Sequence, residues 1–375
     1  MKNIFLRNAS LYFNGAIHQG SLLIKRGKIS KIFLNEKVSN IKRFHKLKTF
    51  RFEIDCNKRL IIPGLIDVHS HLRDMGQCDK ETFLTGTQAA AYNGITTTFN
   101  MPNTLPPANN SKQIKLWLRR AKNNLYIDVG FIAGIPNDFD NKEVKKIIKR
   151  KIIGFKIYPH RPLGNLDWTD ENNINHLFKL SSKYNVPIFI HPEWPLREED
   201  EILLRDQRKN GQGNILELHN QAKSSQSELR YIKFIIENYI KFYKENQKNP
   251  IIHLCHISSK ISFDYIKEIQ EEYKNFRISM ETTPHHLLLS KNIQLDQPNM
   301  GKVDPPLRDS EDQLYLFDQF KKGNLKIIAS DHAPHTIIEK NKEFLDAPSG
   351  FPEFDTYPIL LLDKVLNGEI NIKYF

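Results

Sequence analysis

Two histidines one residue apart, His69 and His71, are the first residues of this sequence that could bind a metal ion. They end an apolar run, and alternate residues of a β-strand point to the same face, so both imidazoles can reach one ion. Further ligand types end or follow three later apolar runs, as His191, His256 and Asp331. A lone His-x-His pair is a weak indication, but the recurrence at matching positions favours a metal site.

Lys156, within the apolar run GFKIY, is an unusual residue for such a site, because an ammonium group has three donors and no acceptor. The simplest interpretation is a lysine that reaches solvent. A desolvated lysine can instead lose its proton and add carbon dioxide, and the two oxygens of that carbamate could bridge two cations. Two metals about 3.5–4 Å apart are the arrangement of many hydrolases. Both interpretations stay open at this point.

Strand-length apolar runs alternate with longer amphipathic stretches from about residue 60 onward. The runs are LIIPGLIDV, ITTTFN, YIDVGFIAG, IIGFKIY, VPIFIH, IIHLCH, RISMETT and LKIIAS. Eight such βα units predict an α/β fold of the TIM-type (β/α)8 barrel class, with helices over 80–93, 141–150 and 260–274. The long interval 191–250 predicts an excursion of extra helix. Active sites of these barrels lie at the C-terminal ends of the strands, where the ligand-type residues fall.

Short alternating runs occupy residues 1–58 and are separated by Asn14-Gly15 and Arg26-Gly27, which predicts β-hairpins. We therefore expect two domains, a small N-terminal β-sandwich-like unit over 1–58 and the barrel over 59–375. The 375 residues are 39% hydrophobic and 26% charged, an ordinary globular composition that suffices for this architecture.

Composition argues against several classes of protein. The three cysteines form no CxxC pair and predict neither a disulfide framework nor a zinc ribbon. No uncharged apolar stretch approaches the roughly 18 residues of a membrane span, and the start lacks the apolar region of a secretory signal. The net charge of +12 is scattered along the sequence, which favours solvated faces over nucleic-acid binding. We expect a cytoplasmic protein without membrane or nucleic-acid partners.

Nine local motifs give the chain a strong resemblance, over its whole length, to the dihydroorotases of the amidohydrolase superfamily. They are PGLIDVHSHLRD, FNMPNTLPP, GFKIY, FIHPE, HLCHIS, TTPHHL, DPPLRD, ASDHAPHT and APSGFPEF, in this order. The resemblance implies a zinc-dependent enzyme of pyrimidine biosynthesis that interconverts N-carbamoyl-L-aspartate and dihydroorotate. It implies two zinc ions bridged by carboxylated Lys156. The implied ligands are His69, His71 and Asp331 for one ion, and His191 and His256 for the other.

The resemblance also implies that Asp331 is the catalytic residue, which takes a proton from the attacking water and delivers it to the leaving ring nitrogen. The implied substrate contacts are Arg73, Asn103 and His335 for the carboxylate, with Asp304, Pro348 and Gly350 near the ring. Simpler interpretations exist: an ion pair of Arg73 with Asp74, a turn role for Asn103, and helix capping by His335. His45, His160, His176 and His219 fit no pattern, and Cys255 is predicted to be a buried structural thiol.

Two departures from the family stand out. Asp304 replaces an asparagine of many relatives and places a negative charge near an anionic substrate. Relatives also extend beyond the position of Phe375, so we expect the C-terminal part of the N-terminal β-unit to be missing. Alternative functions are a sister enzyme for neutral rings, such as allantoinase or dihydropyrimidinase, and an inactive scaffold subunit. A homodimer or an association with aspartate transcarbamoylase is the expected assembly.

Overall fold

The structure, a computed structural model, describes residues 3–44, 52–196, 202 and 215–375. The chain forms two compact units, Met1–Gly64 and Leu65–Phe375. None of the described helices is both long enough and apolar enough to cross a membrane.

One mixed β-sheet is the main feature of the first unit. It contains β1 (Ile4–Phe13), β2 (Ala16–Lys25), β3 (Lys28–Leu34), β4 (Phe52–Asp55) and β5 (Leu60–Ile61), and the unit also has helix α1 (Val38–Phe44). Strands β1, β2 and β3 pair antiparallel, whereas β4 and β5 run parallel to β1. The described strands thus form a single sheet, to which β5 belongs although it follows residue 58.

The two hairpin turns have the backbone that their residues predict. Asn14 and Gly15 have φ values of 49° and 80°, and Arg26 and Gly27 have 52° and 77°. Positive φ at both central positions is the requirement of a tight two-residue turn whose twist matches the flanking strands. The predicted hairpins are therefore confirmed.

Parallel strands alternate with helices along most of the second unit. Its seven-stranded sheet follows chain order and contains β6 (Leu65–Ser70), β7 (Ile95–Asn100), β8 (Asp128–Gly134), β9 (Gly154–Ile157), β10 (Pro187–Ile190), β11 (Ile251–Leu254) and β12 (Arg277–Met280). The described helices are α2 (Phe83–Tyr92), α3 (Ser111–Ala121), α4 (Asn141–Ile148), α5 (Glu171–Tyr184), α6 (Ile215–Ala222), α7 (Ser225–Asn246), α8 (Lys260–Glu272), α9 (Pro284–Leu288), α10 (Ser310–Lys321), α11 (Ile337–Lys340) and α12 (Tyr357–Leu366). This is the strand–helix series that the sequence predicts.

The eighth predicted strand, at 325–330, lies between the two edge strands of this sheet. Isolated bridges hold it there: Thr282 pairs with Ile328 on one side, and Ser70 pairs with His332 on the other. The sheet therefore curls in the manner of a TIM barrel, and we call residues 325–333 the closing segment. The predicted fold class is confirmed, although this last segment pairs with its neighbours through isolated bridges instead of a continuous ladder.

Alternate residues of the strands face two different hydrophobic layers. Phe155 and Ile157 of β9 belong to the large core that the strands share with the helices. A smaller cluster on the opposite face contains Met101, Ile132, Phe189 and Cys255. Because neighbouring residues of a strand point in opposite directions, Lys156 faces the barrel interior.

Extra helix fills much of the interval between β10 and β11. Helices α6 and α7 lie there, and Tyr231 and Tyr239 of α7 are fully buried. Their hydroxyls donate to Trp168 O at 2.8 Å and Pro250 O at 2.7 Å, which satisfies the polar ends of both rings. The predicted excursion is confirmed for α6 and α7, whereas 197–201 and 203–214 lie outside the described residues.

Asp67 joins β6 to the closing segment. Its buried Oδ1 accepts hydrogen bonds from the amides of His69 and Ser330, both at 3.1 Å. We expect Asp67→Ala to lower the free energy of unfolding by about 2–4 kcal/mol, because two buried amides lose their acceptor. Urea denaturation measures this loss. Asp67→Asn keeps an acceptor oxygen and should lose much less, so equal losses in the two variants would contradict the role given to these bonds.

Candidate active site

Eleven of the twelve predicted site residues line one cavity of about 490 Å³ at the C-terminal ends of the strands. They are His69, His71, Arg73, Asn103, His191, His256, Asp304, Asp331, His335, Pro348 and Gly350. The twelfth, Lys156, is 1% exposed. The sequence-based set therefore converges in space.

His69, His71 and Asp331 form one group of potential metal ligands. Asp331 Oδ1 lies 3.2 Å from His69 Nε2 and 2.9 Å from His71 Nε2. One ligand atom from each residue lies within 4.8 Å of the others, which is suitable for a shared ion. Asp331 also has a φ of 51°, a left-handed conformation that costs a non-glycine residue about 1–3 kcal/mol and is concentrated at functional sites.

Burial and mutual charge set the protonation of this group. Burial raises the pKa of Asp331, but His69 and His71 outweigh it and hold that pKa well below its usual range. Burial lowers the pKa of His71 to about 4. For His69, burial and the Lys156 charge lower the pKa, while the carboxylates of Asp331 and Glu281 raise it to about 10. An ionised carboxylate and a neutral His71 imidazole are forms that bind metals.

Hydrogen bonds on their far sides orient both imidazoles. His71 Nδ1 donates to Asn103 Oδ1 at 2.6 Å, a contact that the sequence did not indicate. His69 Nδ1 lies 2.5 Å from Glu281 Oε1, and Glu281 Oε2 lies 2.9 Å from His253 Nε2. Partners of this kind fix the tautomer of a ligating histidine and leave its other nitrogen for the metal.

Cys255 has two kinds of neighbour. Its side chain belongs to the small apolar cluster inside the barrel, in agreement with a buried thiol. Its sulfur also lies within 4.8 Å of ligand atoms of His69 and Glu281. Cys255 is therefore buried as predicted, but it also lies beside the first group of potential metal ligands.

His191 and His256 form the second group. Their ring centroids are 4.5 Å apart, and the His256 ring is 5.4 Å from that of His69. Burial lowers the pKa of His191 and takes that of His256 well below its usual range, so both imidazoles favour the neutral, metal-binding form. His256 Nδ1 is buried and has no hydrogen-bond partner in the described part of the chain.

His160, for which the sequence predicts no role, lies beside His191 in the cavity wall, with ring centroids 4.2 Å apart. Glu193 Oε2 lies 2.8 Å from His191 Nε2 and 3.3 Å from Lys223 Nζ. Burial raises the pKa of Glu193, but Lys223 and His191 lower it to about 2. Glu193 is therefore an ionised acceptor that orients His191.

The Lys156 amine is buried and lacks a hydrogen-bond partner among the described residues. Its Nζ lies 5.2 Å from the ring centroid of Tyr158, which lines the cavity together with both ligand groups. The interpretation of Lys156 as a lysine that reaches solvent is therefore wrong, because the side chain points into the barrel.

Arg73 and Lys80, on either side of His335, form a positively charged end of the cavity. Arg73 Nη2 lies 2.9 Å from His335 Nε2, and Arg73 Nε donates to Pro334 O at 3.1 Å. Lys80 Nζ lies 3.2 Å from His335 Nδ1 and 2.7 Å from Glu339 Oε1. Burial, followed by Arg73 and Lys80, lowers the pKa of His335 to about 3. A neutral imidazole between two cations suits an anionic ligand.

Two simpler interpretations of these residues are wrong. Asp74 pairs with Arg120, at 3.1 Å, and the Arg73 side chain turns to the cavity instead. The cap of α11 is Thr336, which forms a capping box with Glu339, so His335 is not needed there.

Asp304 brings the predicted negative charge to the cavity wall, but this charge is paired. Its Oδ1 lies 2.9 Å from Lys223 Nζ and 3.1 Å from His219 Nε2. Burial raises the pKa of Asp304, but Lys223 and His219 hold it well below its usual range. Compensation by Lys223 reduces the repulsion that Asp304 would exert on an anion.

The segment 348–350 forms another part of the wall. Gly350 has a φ of 139°, and a Cβ there would lie 2.6 Å from Ala333 O, so a larger residue would force the two strands of backbone apart. Ser349 O lies 3.1 Å from His335 Nε2. This segment therefore packs against the positively charged end.

Comparison with known families agrees with this arrangement. The family model described as "Amidohydrolase family" matches residues 60–289 of this chain, from β5 to the residue after α9. The chain belongs to the amidohydrolase family.

Curated relatives of this amidohydrolase include proteins named dihydroorotase. One, from Methanosphaera stadtmanae, is 34% identical over 329 residues, which is 85% of this chain and 69% of the relative. Another, from Pyrococcus abyssi, is 33% identical over 373 residues, which is 96% of this chain and 74% of the relative. The resemblance inferred from the motifs is confirmed.

Solved structures show the same fold at lower sequence identity. L-hydantoinase (dihydropyrimidinase) from Arthrobacter aurescens has a TM-score of 0.83 at 23% identity, over 100% of this chain and 80% of that one. Dihydropyrimidinase from Brevibacillus agri NCHU1002 has a TM-score of 0.82 at 21% identity, over 99% of this chain and 78% of that one.

Several wall residues of this amidohydrolase were not singled out from the sequence. Tyr158, His160 and Arg161 directly follow β9, so the strand-end rule could have found them. Lys80 was assigned to the start of a helix, but α2 begins at Phe83, and Lys80 instead lines the cavity.

Glu281 offers a direct test of how this amidohydrolase orients its ligands. We expect Glu281→Gln to weaken metal retention about 10- to 100-fold, because the amide keeps the size but loses the charge that holds His69 and His253. Competition with a chromophoric chelator measures retention. The exposed Glu272→Gln on α8 is the matched control, and unchanged retention in Glu281→Gln would exclude the orienting role.

Proposed function

We propose that this amidohydrolase is a dihydroorotase, which hydrolyses the ring amide of dihydroorotate to N-carbamoyl-L-aspartate and catalyses the reverse ring closure. One observation carries the proposal: Arg73 and His335 lie in the same cavity as the group of His69, His71 and Asp331. A ring amide that carries a carboxylate complements both ends of this cavity. The names of the curated relatives support the same substrate.

The donor set fits two zinc ions. The group of His69, His71 and Asp331 would hold one ion, and His191 with His256 would hold the other. Two buried atoms without partners among the described residues, His256 Nδ1 and Lys156 Nζ, support this assignment.

A carbamate on Lys156 would complete the pair of sites. An unpaired buried ammonium carries a desolvation penalty of several kcal/mol. Conversion to a carbamate replaces that ammonium with two oxygens that could bridge the ions, which is why the burial of Lys156 favours carboxylation over an ordinary lysine.

Zinc held by these residues would supply a nucleophile at neutral pH and would polarise the amide carbonyl. Asp331 is the residue placed to move the proton, because its ionised carboxylate lines the cavity beside His71. It accepts the proton of the attacking water and delivers it to the leaving ring nitrogen. In ring closure the same carboxylate takes the proton from the ureido nitrogen.

The positively charged end orients the substrate through its carboxylate. Arg73 presents a planar fork of N–H donors, the geometry that matches a carboxylate with two parallel hydrogen bonds. Asn103 Oδ1 is occupied by His71, which leaves the amide NH2 as the group that can donate to the substrate. His335 adds no charge of its own and separates Arg73 from Lys80.

A hydantoinase or dihydropyrimidinase activity on neutral rings is the second candidate, because the solved structures with this fold carry those names. The buried Arg73 argues against it, since a neutral ring would leave the guanidinium without a counter-charge. An inactive scaffold role is disfavoured because the full set of predicted ligands is brought together.

Metal content and substrate preference together test the proposal. We expect the purified protein to hold about two zinc ions per chain, as in two-metal hydrolases, and to open dihydroorotate in preference to allantoin and dihydrouracil. A chelator should abolish turnover and added zinc should restore it. Preference for a neutral ring would assign the second candidate function, and turnover that survives complete metal removal would contradict the mechanism.

Arg73 determines the specificity for an anionic substrate. Arg73→Met should raise KM for dihydroorotate about 10- to 100-fold, since a hydrogen bond to a charged group contributes about 1.5–3 kcal/mol, with a smaller change in kcat. Steady-state kinetics measures the two constants. Arg73→Lys keeps the charge without the planar fork, so its KM should lie between those of the wild-type protein and Arg73→Met. An unchanged KM in Arg73→Met would remove Arg73 from the carboxylate site.

A further inference from the structure

Lys302 holds part of a loop that we call the ring loop, residues 344–350. The lysine is 6% exposed. Its Nζ donates to Phe344 O at 2.5 Å and to Ala347 O at 2.7 Å, and it lies 3.3 Å from Leu345 O. The Phe344 ring centroid is 4.8 Å from the same nitrogen. Three carbonyls and one aromatic face of a single loop thus surround the ammonium group.

Lys340, the last residue of α11, holds the other end of the ring loop. It is 5% exposed. Its Nζ donates to Pro348 O at 3.1 Å and to Gly350 O at 3.2 Å, and it also lies 3.4 Å from Lys302 O. Pro348 and Gly350 both line the cavity. Two ammonium groups from different segments therefore bind five carbonyls of one short loop.

Neither ammonium group forms an ion pair within the described ranges of the chain. Burial lowers the pKa of both lysines to about 8, so both remain largely protonated at neutral pH. Hydrogen bonds from a charged donor are about twice as strong as neutral ones. The charge of Lys302 and Lys340 is therefore directed at backbone carbonyls.

The bond from Lys340 fixes which backbone groups the ring loop presents. A peptide unit is planar, and its C=O and N–H point in opposite directions. When Pro348 O points to Lys340, the N–H of Ser349 must point away from it. Ser349 O in turn lies 3.1 Å from His335 Nε2, at the positively charged end. Rotation of this one peptide unit would exchange a donor for an acceptor beside the ligand.

We propose that Lys302 and Lys340 are positioning residues that set the affinity of the cavity for the substrate ring by fixing the peptide units of the ring loop. They act through the loop backbone, because their hydrogen bonds go to carbonyls and not to any residue of the two metal-ligand groups. That the ring is dihydroorotate rests on the proposed function, whereas the attachment of the ring loop to the two lysines does not.

Kinetics of lysine variants tests the proposal. We expect Lys340→Met and Lys302→Met to raise KM for dihydroorotate about tenfold, because the released loop must be ordered again when the ring binds, with kcat within about twofold and zinc content unchanged. Lys342→Met, an exposed lysine two residues along, is the matched control and should leave both constants unchanged. Lys340→Gln keeps an N–H donor and should partly restore KM.

Hydrogen exchange of the ring loop provides a second readout that needs no substrate. Amides of 344–351 should exchange faster in Lys340→Met than in Lys342→Met, while those of α10 stay unchanged. If neither methionine variant folds, Lys340→Gln is compared with Lys342→Met instead. Unchanged KM and unchanged exchange would overturn the proposal, and so would an equal loss of kcat and zinc. If the wild-type protein opens no dihydroorotate, the proposed function fails while the exchange result still decides the attachment.

Discussion

The contact of one carboxylate oxygen of Asp331 with the imidazoles of His69 and His71 depends on how the sheet closes. His69 lies in β6 and His71 directly follows it, whereas Asp331 belongs to the closing segment, so the group forms only if these two pieces of chain lie in register. Pairing of Ser70 with His332 sets that register. A slip of one residue would turn every side chain to the opposite face and bring His332 in place of Asp331. The chemistry therefore depends on a few backbone bonds at the seam of the barrel.

Charge is distributed unevenly around the cavity, and each buried charge has a compensating partner or a task. Asp331 and the neutral histidines form the end suited to metals, while Arg73 and Lys80 form the end suited to an anion. Asp304, which could have opposed an anion, is paired with Lys223. Burial of charge is costly and contributes little to stability even when paired. Its concentration around one cavity is therefore better explained by ligand binding than by folding.

Much of this arrangement was predictable because it follows from local rules. His69 and His71 share a face by strand geometry, and the ends of parallel strands meet on one side of a barrel. What the sequence could not indicate are contacts between distant segments: the pairing of Asp304 with Lys223, or the hydrogen bond of His71 to Asn103. Glu281 was missed although it directly follows β12, because one carboxylate among many carries no signal without its partners.

The net charge of +12 also has a different meaning in the folded protein. As a sum it indicated only solvated lysines or a nucleic-acid surface. Among the described residues, five lysines are instead buried: Lys156, Lys223, Lys291, Lys302 and Lys340. Loops often carry functional groups, but they lack the regular backbone hydrogen bonds that hold a helix or strand in place. A buried ammonium supplies three donors to such irregular backbone or to a neighbouring carboxylate, so part of the excess positive charge serves to hold the walls of the cavity in place.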